Sequence, residues 1–401
     1  MLDSPRPSND SPNPVFGRER FAWWMLFGII RLSVNSGILF LAAAGALLGS
    51  AGWWLCGVVF INEACLEDNL PLQVDTRYLN AFPGERHADA CPIGCHETET
   101  GKSVIEKFGP WPADPGMAVP YRIMRPVCQL ARPGGGFREF GYYGLGGLWT
   151  LLVWSVFGGA ITRIAVKRLG VNEQINPMHA VRFAIEKLPS HVGGAILPLS
   201  VAFLLSMPLM LLGFFMRANL GVFLVGFLYF IMLPVAFLLA VVTLGWLFAW
   251  PLIWGVLSSD GTDAFDAVSR AYSYTCQRPI RYAFYLVLTF LIGYFGWLLV
   301  WAFSELVVQT GMWALTMGAG EDQMSQILLA INNEPVDSGA LRFGARLIAF
   351  WNGIARTFGS AFAYSYFWCG FAAIYLLMRY DVDATELDEI IEDPIMPEGE
   401  L

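Results

Sequence analysis

Six stretches of apolar residues, each long enough to cross a bilayer, constrain this 401-residue chain more than any other feature. About 20 apolar residues in a helix that rises about 1.5 Å per residue cross the roughly 30 Å of membrane hydrocarbon. The sequence therefore predicts an all-α integral membrane protein of about six transmembrane helices. The stretches are residues 37–61, 142–161, 195–216, 221–257, 283–303 and 358–378.

The fourth stretch is longer than one crossing needs, and it contains Pro234 and Pro251. Proline inside a helix permits a kink or a break. The stretch is therefore either one span or a span followed by a helix that lies along the interface. We expect one span, because the basic residues of the connecting loops then gather on one side of the membrane.

Composition agrees with a membrane protein. Hydrophobic residues make up 56% of the chain and charged residues 14%, whereas soluble domains have roughly 45–50% and 25%. The net charge of -8, without a basic patch, excludes nucleic acid as an expected partner. The predicted partners are the lipid bilayer and other membrane proteins. No His falls in the six stretches, which argues against a proton relay through the bilayer.

Lys and Arg predict the orientation, because they are enriched in cytoplasmic loops. With the N-terminus inside, thirteen of them lie in cytoplasmic segments and four in the shorter outer connections. We therefore expect both termini in the cytoplasm. The predicted domains are a cytoplasmic N-terminus at 1–36 with a helix at 21–32, a span at 37–61, an extracytoplasmic loop at 62–141, a five-span domain at 142–378 and an acidic cytoplasmic tail at 379–401.

Two inner loops have the periodicity of short amphipathic helices. Each opens on a capping residue, Asn176 or Asp263, and aligning the caps superposes Ala180 on Ala267. This pattern indicates either a duplicated unit of short helix and span or the common needs of interfacial helices. The predicted apolar stripes are Met178, Val181, Ile185 and Leu188 in the first helix and Phe265, Val268, Tyr272 and Cys276 in the second.

Two segments resemble a family of uncharacterised bacterial polytopic membrane proteins. They are SDGTDAFDAVSRAYSY at residues 259–274, followed by QRPIR and a span, and IYLLMRYDVDATELDE at residues 374–389. More distantly, residues 158–389 are similar to the membrane domain of some glycerophosphodiester phosphodiesterases. The resemblance implies the bacterial cytoplasmic (inner) membrane. It implies no activity, because the αβ alternation of the phosphodiesterase barrel is not found in the sequence.

The predicted outer loop contains four of the seven cysteines, Cys65, Cys91, Cys95 and Cys128. Extracytoplasmic compartments are oxidising, so an even number of cysteines there favours two disulfides. Four cysteines allow three pairings, and the sequence does not choose among them.

The run Cys91-Pro-Ile-Gly-Cys95-His96 has two further interpretations. An axial His directly after two thiols is typical of c-type haem attachment, although three residues separate the cysteines here instead of two. Thiolates and an imidazole also suit zinc. We predict no cofactor and keep haem and zinc as alternatives to disulfides.

The tail places Asp381, Asp383 and Glu392 at positions of a calcium-binding loop. Glu386 stands where the sharp turn of that loop requires Gly, so the match is broken. The alternative is the start of an acidic helix, with Asp383 and Glu386 at capping-box spacing.

The sequence contains no nucleophile elbow, phosphate loop or His-Glu zinc motif, and no catalytic residue is predicted. A structural, scaffolding or accessory membrane component is therefore the first functional hypothesis. A transporter or permease-like subunit is the second, because of the repeat and the proline-containing helix. A redox or metal-binding protein that uses the Cys91–His96 run is the third.

Overall fold

A computed structural model describes residues 23–60, 115–131, 137–331 and 338–390 of the chain. Within them the backbone forms eleven helices. They are α1 (Met25–Ser33), α2 (Ser36–Phe60), α3 (Pro115–Leu130), α4 (Phe137–Gly170), α5 (Pro177–Glu186), α6 (Leu188–Phe215), α7 (Asn219–Asp260), α8 (Ala264–Gln277), α9 (Pro279–Ala319), α10 (Glu321–Ile331) and α11 (Gly339–Asp383). Six of them, α2, α4, α6, α7, α9 and α11, are long and apolar enough to cross a membrane, as the sequence predicts.

Several of the long helices extend beyond the predicted spans. Helix α11 covers Gly339–Asp383, whereas the apolar stretch covers only 358–378. Hydropathy detects only the apolar part of a helix, so polar turns at its ends are missed. Helix α7 continues through Pro234 and Pro251 as one helix, so the fourth stretch is not broken at either proline; the single span remains a prediction.

Helix α11 is the centre of the bundle. In its most apolar stretch 83% of the residues are buried, and it packs against α2, α4, α7 and α9. At mid-length the packing is aromatic, because the ring of Trp154 stacks on Tyr364 at 4.4 Å and lies beside Trp368. Trp250 and Trp254 of α7 complete this cluster against Trp368.

Three short helices, α1, α5 and α8, each precede a long helix that begins at the same end of the bundle. The predicted caps of two of them are confirmed. The Asn176 side chain accepts a hydrogen bond from the Met178 backbone at 3.0 Å, and Asp263 accepts one from Asp266 at 2.9 Å. The third short helix was expected at 21–32 and is observed as α1.

The predicted apolar stripes are only partly buried against the bundle. In α5, Ala180 and Ala184 are buried against α4, whereas Met178 is 71% exposed and Ile185 53% exposed. The packed face consists of small residues outside the predicted stripe, which were not predicted because hydropathy does not distinguish a protein neighbour from lipid. Small residues mark the close helix contact instead.

Helix α8 has the same arrangement of buried and exposed residues. The buried residues include Ala267 and Ala271, which align with Ala180 and Ala184, and Phe265 is 68% exposed. Of the predicted stripe, Val268 is buried and Cys276 is exposed. The two short helices therefore share both their caps and their small-residue packing faces.

Helices α6 and α7 form a hairpin that packs on the bundle only near its base. The buried residues of α6 all lie between His191 and Pro198. Those of α7 lie between Ala249 and Ser259, with Val225 as the one exception. The remainder of the hairpin exposes large apolar side chains, among them Phe223, Phe227 and Phe230.

Two helices lie in segments that the sequence treats as loops. Helix α3, inside the predicted outer loop, packs against α4, α9 and α11 and buries Val119. Helix α10 connects α9 to α11. Both were missed because they are short and only weakly apolar.

Candidate functional site

The densest polar cluster surrounds Asp260, the last residue of α7. Its carboxylate accepts hydrogen bonds from Arg270 at 2.9 Å, from Arg379 at 2.9 Å and from the Tyr375 hydroxyl at 2.8 Å. A carboxylate at a helix C-terminus is disfavoured by the helix dipole, so the two guanidinium groups compensate for its position. The cluster ties together the ends of α7, α8 and α11.

Arg379 also holds the chain that follows α11. The side chain is only 5% exposed and donates to the Ser259 hydroxyl at 2.8 Å, in addition to Asp260. Its other terminal nitrogen donates to the backbone carbonyls of Glu386 and Glu389. The helix ends at Asp383, the following Ala384 has a φ of +54°, and the chain then folds back over the end of the bundle.

Two further carboxylates near the end of α11 are bound by tyrosine and arginine. Asp381 accepts from Arg281 and from the Tyr285 hydroxyl, and Asp383 accepts from the Tyr274 hydroxyl. Burial, together with the hydrogen bond to Asp383, raises the pKa of Tyr274 above its usual value. These contacts fix α8 and the start of α9 to the end of α11.

A second polar layer lies deeper, between α4 and α7. Arg163 is fully buried, donates to the Ser258 backbone carbonyl at 2.6 Å, and lies over the Phe183 ring at 4.4 Å from its centroid. The hydroxyls of Thr162 and Ser258 are hydrogen-bonded at 2.6 Å. A buried guanidinium that contacts a carbonyl and an aromatic face supports helix packing.

An open groove of about 520 Å³ lies beside the cluster. Four acidic residues and two arginines line most of it, so its two signs of charge are mixed. The lining residues are Asp260, Arg270, Arg379, Asp383, Thr385, Asp388, Glu389 and Ile390.

The structure contradicts the prediction of a helix start in the acidic tail. Asp381 and Asp383 lie in the last turn of α11, and Glu386 lies in the turn that follows it. Helix α11 continues past its apolar run into the polar residues that follow, so the acidic residues end this helix and do not begin another. Glu392, the third calcium candidate, lies outside the described residues. Among those described, no three His, Cys, Asp or Glu side chains gather to hold a metal ion.

The predicted cysteine site is described only at Cys128. Cys128 is exposed on α3 and makes no disulfide with another described residue. Cys65, Cys91, Cys95 and His96 lie outside the described residues, so the disulfide, haem and zinc interpretations remain predictions.

One histidine lies in a helix of span length. His191 lies in α6, which begins at Leu188, seven residues before the predicted span. Its ring is fully buried, Nδ1 lies 2.9 Å from the Lys187 carbonyl, and the ring packs near Trp254 at 5.8 Å. The helix thus extends beyond the predicted apolar stretch of 195–216 and includes a histidine that lies outside that stretch.

Sequence reasoning did not single out Asp260, Arg270 or Arg379 as one site. Arg379 and Asp260 are 119 positions apart, and no local motif joins them. One feature of the sequence could have indicated the pair. Asp260 and Arg379 each follow the end of an apolar stretch, and both ends lie on the same predicted side of the membrane.

A scan against models of protein families, a search of curated proteins and a search of solved structures found no match to this chain.

Proposed function

We propose that this protein is a structural or accessory component of a membrane, which holds another membrane protein through the α6–α7 hairpin. One observation carries the proposal: between Asn219 and Val241 only Val225 of α7 is buried, and large apolar side chains such as Phe223, Phe227 and Phe230 are exposed. In its most apolar stretch only 6% of the α7 residues are buried. In a bilayer such a surface contacts either lipid or the helices of a partner.

The arrangement of polar groups supports this role over catalysis or transport. The carboxylates of Asp260, Asp381 and Asp383 are bound to side chains of the same bundle, and they join helices that are distant in sequence. At mid-length the described bundle is filled by the aromatic cluster around Trp154 and Trp368. Tightly bound charges and an aromatic core suit a rigid scaffold that presents the hairpin.

The membrane orientation is part of the proposal. The end of the bundle that carries α5, α8 and the tail is rich in arginine and lysine, including Arg163, Lys167, Arg182, Arg278 and Arg379. Positive residues favour the cytoplasmic side. We place this end, and both termini, in the cytoplasm of a bacterium with the chain in its inner membrane. A reporter fused after residue 390 and found outside would contradict this orientation.

A transporter or permease-like subunit is the second candidate. The unit of short helix and long helix occurs three times, and two copies share capping and packing residues, as in transporters built from repeats. A solute that stabilises the purified protein in a saturable manner would favour this candidate over the scaffold.

Affinity purification in mild detergent tests the scaffold directly. A hairpin variant with Phe223, Phe227 and Phe230 replaced by Leu keeps the helix apolar but changes its surface. A matched variant with Phe290, Phe295 and Phe303 of α9 replaced by Leu alters exposed apolar positions of another helix. We expect a protein that co-purifies stoichiometrically with the wild type to be lost only from the hairpin variant. Equal retention by both variants would contradict the proposal.

A further inference from the structure

Helix α5 divides its side chains among three sides. Ala180 and Ala184 face the bundle. Met178 and Ile185 are seven residues apart, and therefore lie on one side, where both are exposed. The third side is polar and consists of His179, Arg182 and Glu186.

Helix α8 has the same three sides in the same order. The bundle-facing side contains Ala267 and Ala271, and the exposed apolar side contains Phe265 and Cys276. At 3.6 residues per turn, the apolar side follows the packed side by about 130° in α5 and about 150° in α8, and the polar side follows it by about 210° and about 240°. The polar side of α8 consists of Asp266, Ser269, Arg270 and Gln277.

This shared order has a physical meaning. A helix that packs on a bundle and exposes one apolar and one polar side is typical of the membrane interface, where acyl chains and water lie on opposite sides. Because the order is the same in both helices and each leads into a long helix, α5 and α8 lie at the same membrane surface. The headgroup layer passes between their apolar and polar sides.

Arg278 lies between α8 and α9, next to the polar side of α8. Unlike the neighbouring arginines, it is not paired with a carboxylate among the described residues. Its neighbours in the cluster, Arg270, Arg281 and Arg379, each pair with a carboxylate. The Arg278 side chain is exposed, and no acidic partner for it is found in the described part of the chain. Ile280, two residues later, is 84% exposed and provides an apolar contact beside the charge.

We propose that α5, α8 and the α8–α9 junction bind the phosphate headgroups of anionic phospholipids, with Arg278 as the principal cation. The inference rests on the membrane insertion of the six long helices, but it does not need the partner protein. The apolar sides of α5 and α8 set how deeply these helices insert into the membrane. Arg278, which has no acidic partner among the described residues, binds the negative phosphate of the headgroup.

Retention of phosphatidylglycerol tests the role of Arg278. The full chain is reconstituted in phosphatidylcholine bilayers with or without phosphatidylglycerol, extracted, and examined by native mass spectrometry for retained lipid. We expect Arg278→Gln to weaken retention of phosphatidylglycerol about fivefold, the effect of one basic residue at an anionic surface. Arg356→Gln is the control, since Arg356 lies on α11 outside the proposed surface and Glu305 already balances its charge at 2.9 Å. Undiminished retention by Arg278→Gln, or an equal loss in Arg356→Gln, would overturn the assignment.

Spin labels separate failure of this surface from failure of membrane insertion. Labels are placed at Met178→Cys and Phe265→Cys on the apolar sides, at His179→Cys on a polar side, and at Phe230→Cys on the hairpin, in a background without the exposed native cysteines. We expect positions 178, 265 and 230 to contact oxygen in lipid, and position 179 to contact a water-soluble nickel complex. A lipid signal at 230 with a water signal at 178 and 265 would overturn the headgroup surface alone. A water signal at 230 would contradict membrane insertion itself.

Discussion

At the scale of single residues, the charged cluster depends on one carboxylate with three donors. Asp260 is 12% exposed in its side chain and neutralises both Arg270 and Arg379. The sequence shows these residues only as isolated charges beside apolar runs. Their pairing could not be predicted, because it results from the relative translation of α7 and α11, which no local pattern encodes.

Replacing Asp260 therefore leaves two guanidinium groups without their shared partner. We expect Asp260→Asn to lower the free energy of unfolding by about 3 kcal/mol, since removing one member of a largely buried ion pair strands the other charges. Denaturant unfolding in mixed micelles measures the change. Asp266→Asn is the control, because Asp266 is 57% exposed and 4.0 Å from Arg270; its effect should stay below about 0.5 kcal/mol. Similar losses in both variants would show that Asp260 is not central.

Because Tyr272 of α8 is half-buried, we expect the stability of the protein to depend on pH in the alkaline range. The Tyr272 hydroxyl donates to the Val242 carbonyl at 3.0 Å, and burial, with a smaller effect of Cys276, raises its pKa to about 12. An unfolded tyrosine has a pKa of about 10, so the neutral folded form stabilises the protein fully below that value. The contribution is lost as the pH rises from about 10 to about 12.

The variant Tyr272→Phe isolates this effect. Below pH 10 we expect it to be less stable than the wild type by about 1 kcal/mol, because the hydrogen bond to Val242 is gone. Between about pH 10 and 12 its stability should fall less steeply than that of the wild type. Unfolding measured at a series of pH values tests this, and identical slopes in the two proteins would refute it.

At the scale of helices, the sequence predicted where the helices lie and which residues cap them better than it predicted which of their faces pack on the bundle. Asn176 and Asp263 were identified correctly because capping depends on residues within one turn. The packed faces of α5 and α8 were missed because Met178 and Phe265 are more apolar than the alanines that touch the bundle. Contact between membrane helices follows side-chain size, so hydropathy alone selects the lipid-facing side.

Two glycines of α7 test where that helix packs. A Cβ added at Gly255 would lie 2.7 Å from the Cβ of Tyr375 on α11, whereas one added at Gly226 would meet nothing within 4 Å. We expect Gly255→Ala to destabilise the protein by roughly 1–3 kcal/mol through overpacking. Gly226→Ala should be neutral or slightly stabilising, because alanine favours helix. Thermal unfolding of the two variants compares them, and equal melting temperatures would mean that α7 and α11 are not in close contact.

At the scale of the whole molecule, length and hydropathy were sufficient to predict six span-length helices but not their arrangement. The central position of α11 was not predictable, because its sequence is less apolar than that of α7, which is largely exposed. Polar ends such as Arg342 and Arg356 hid the full length of α11 from a hydropathy window. The course of the tail depends on Arg379 reaching the carbonyls of Glu386 and Glu389, a contact without a sequence signature.

The exposed hairpin is the feature on which the proposed function rests, and photo-crosslinking in intact membranes tests it most directly. A photoreactive residue replaces Phe227 on the hairpin, which is 82% exposed, or Phe295 on α9, which is 66% exposed. We predict one discrete protein adduct from position 227, and lipid adducts alone from position 295. Lipid adducts alone from both positions would contradict the account.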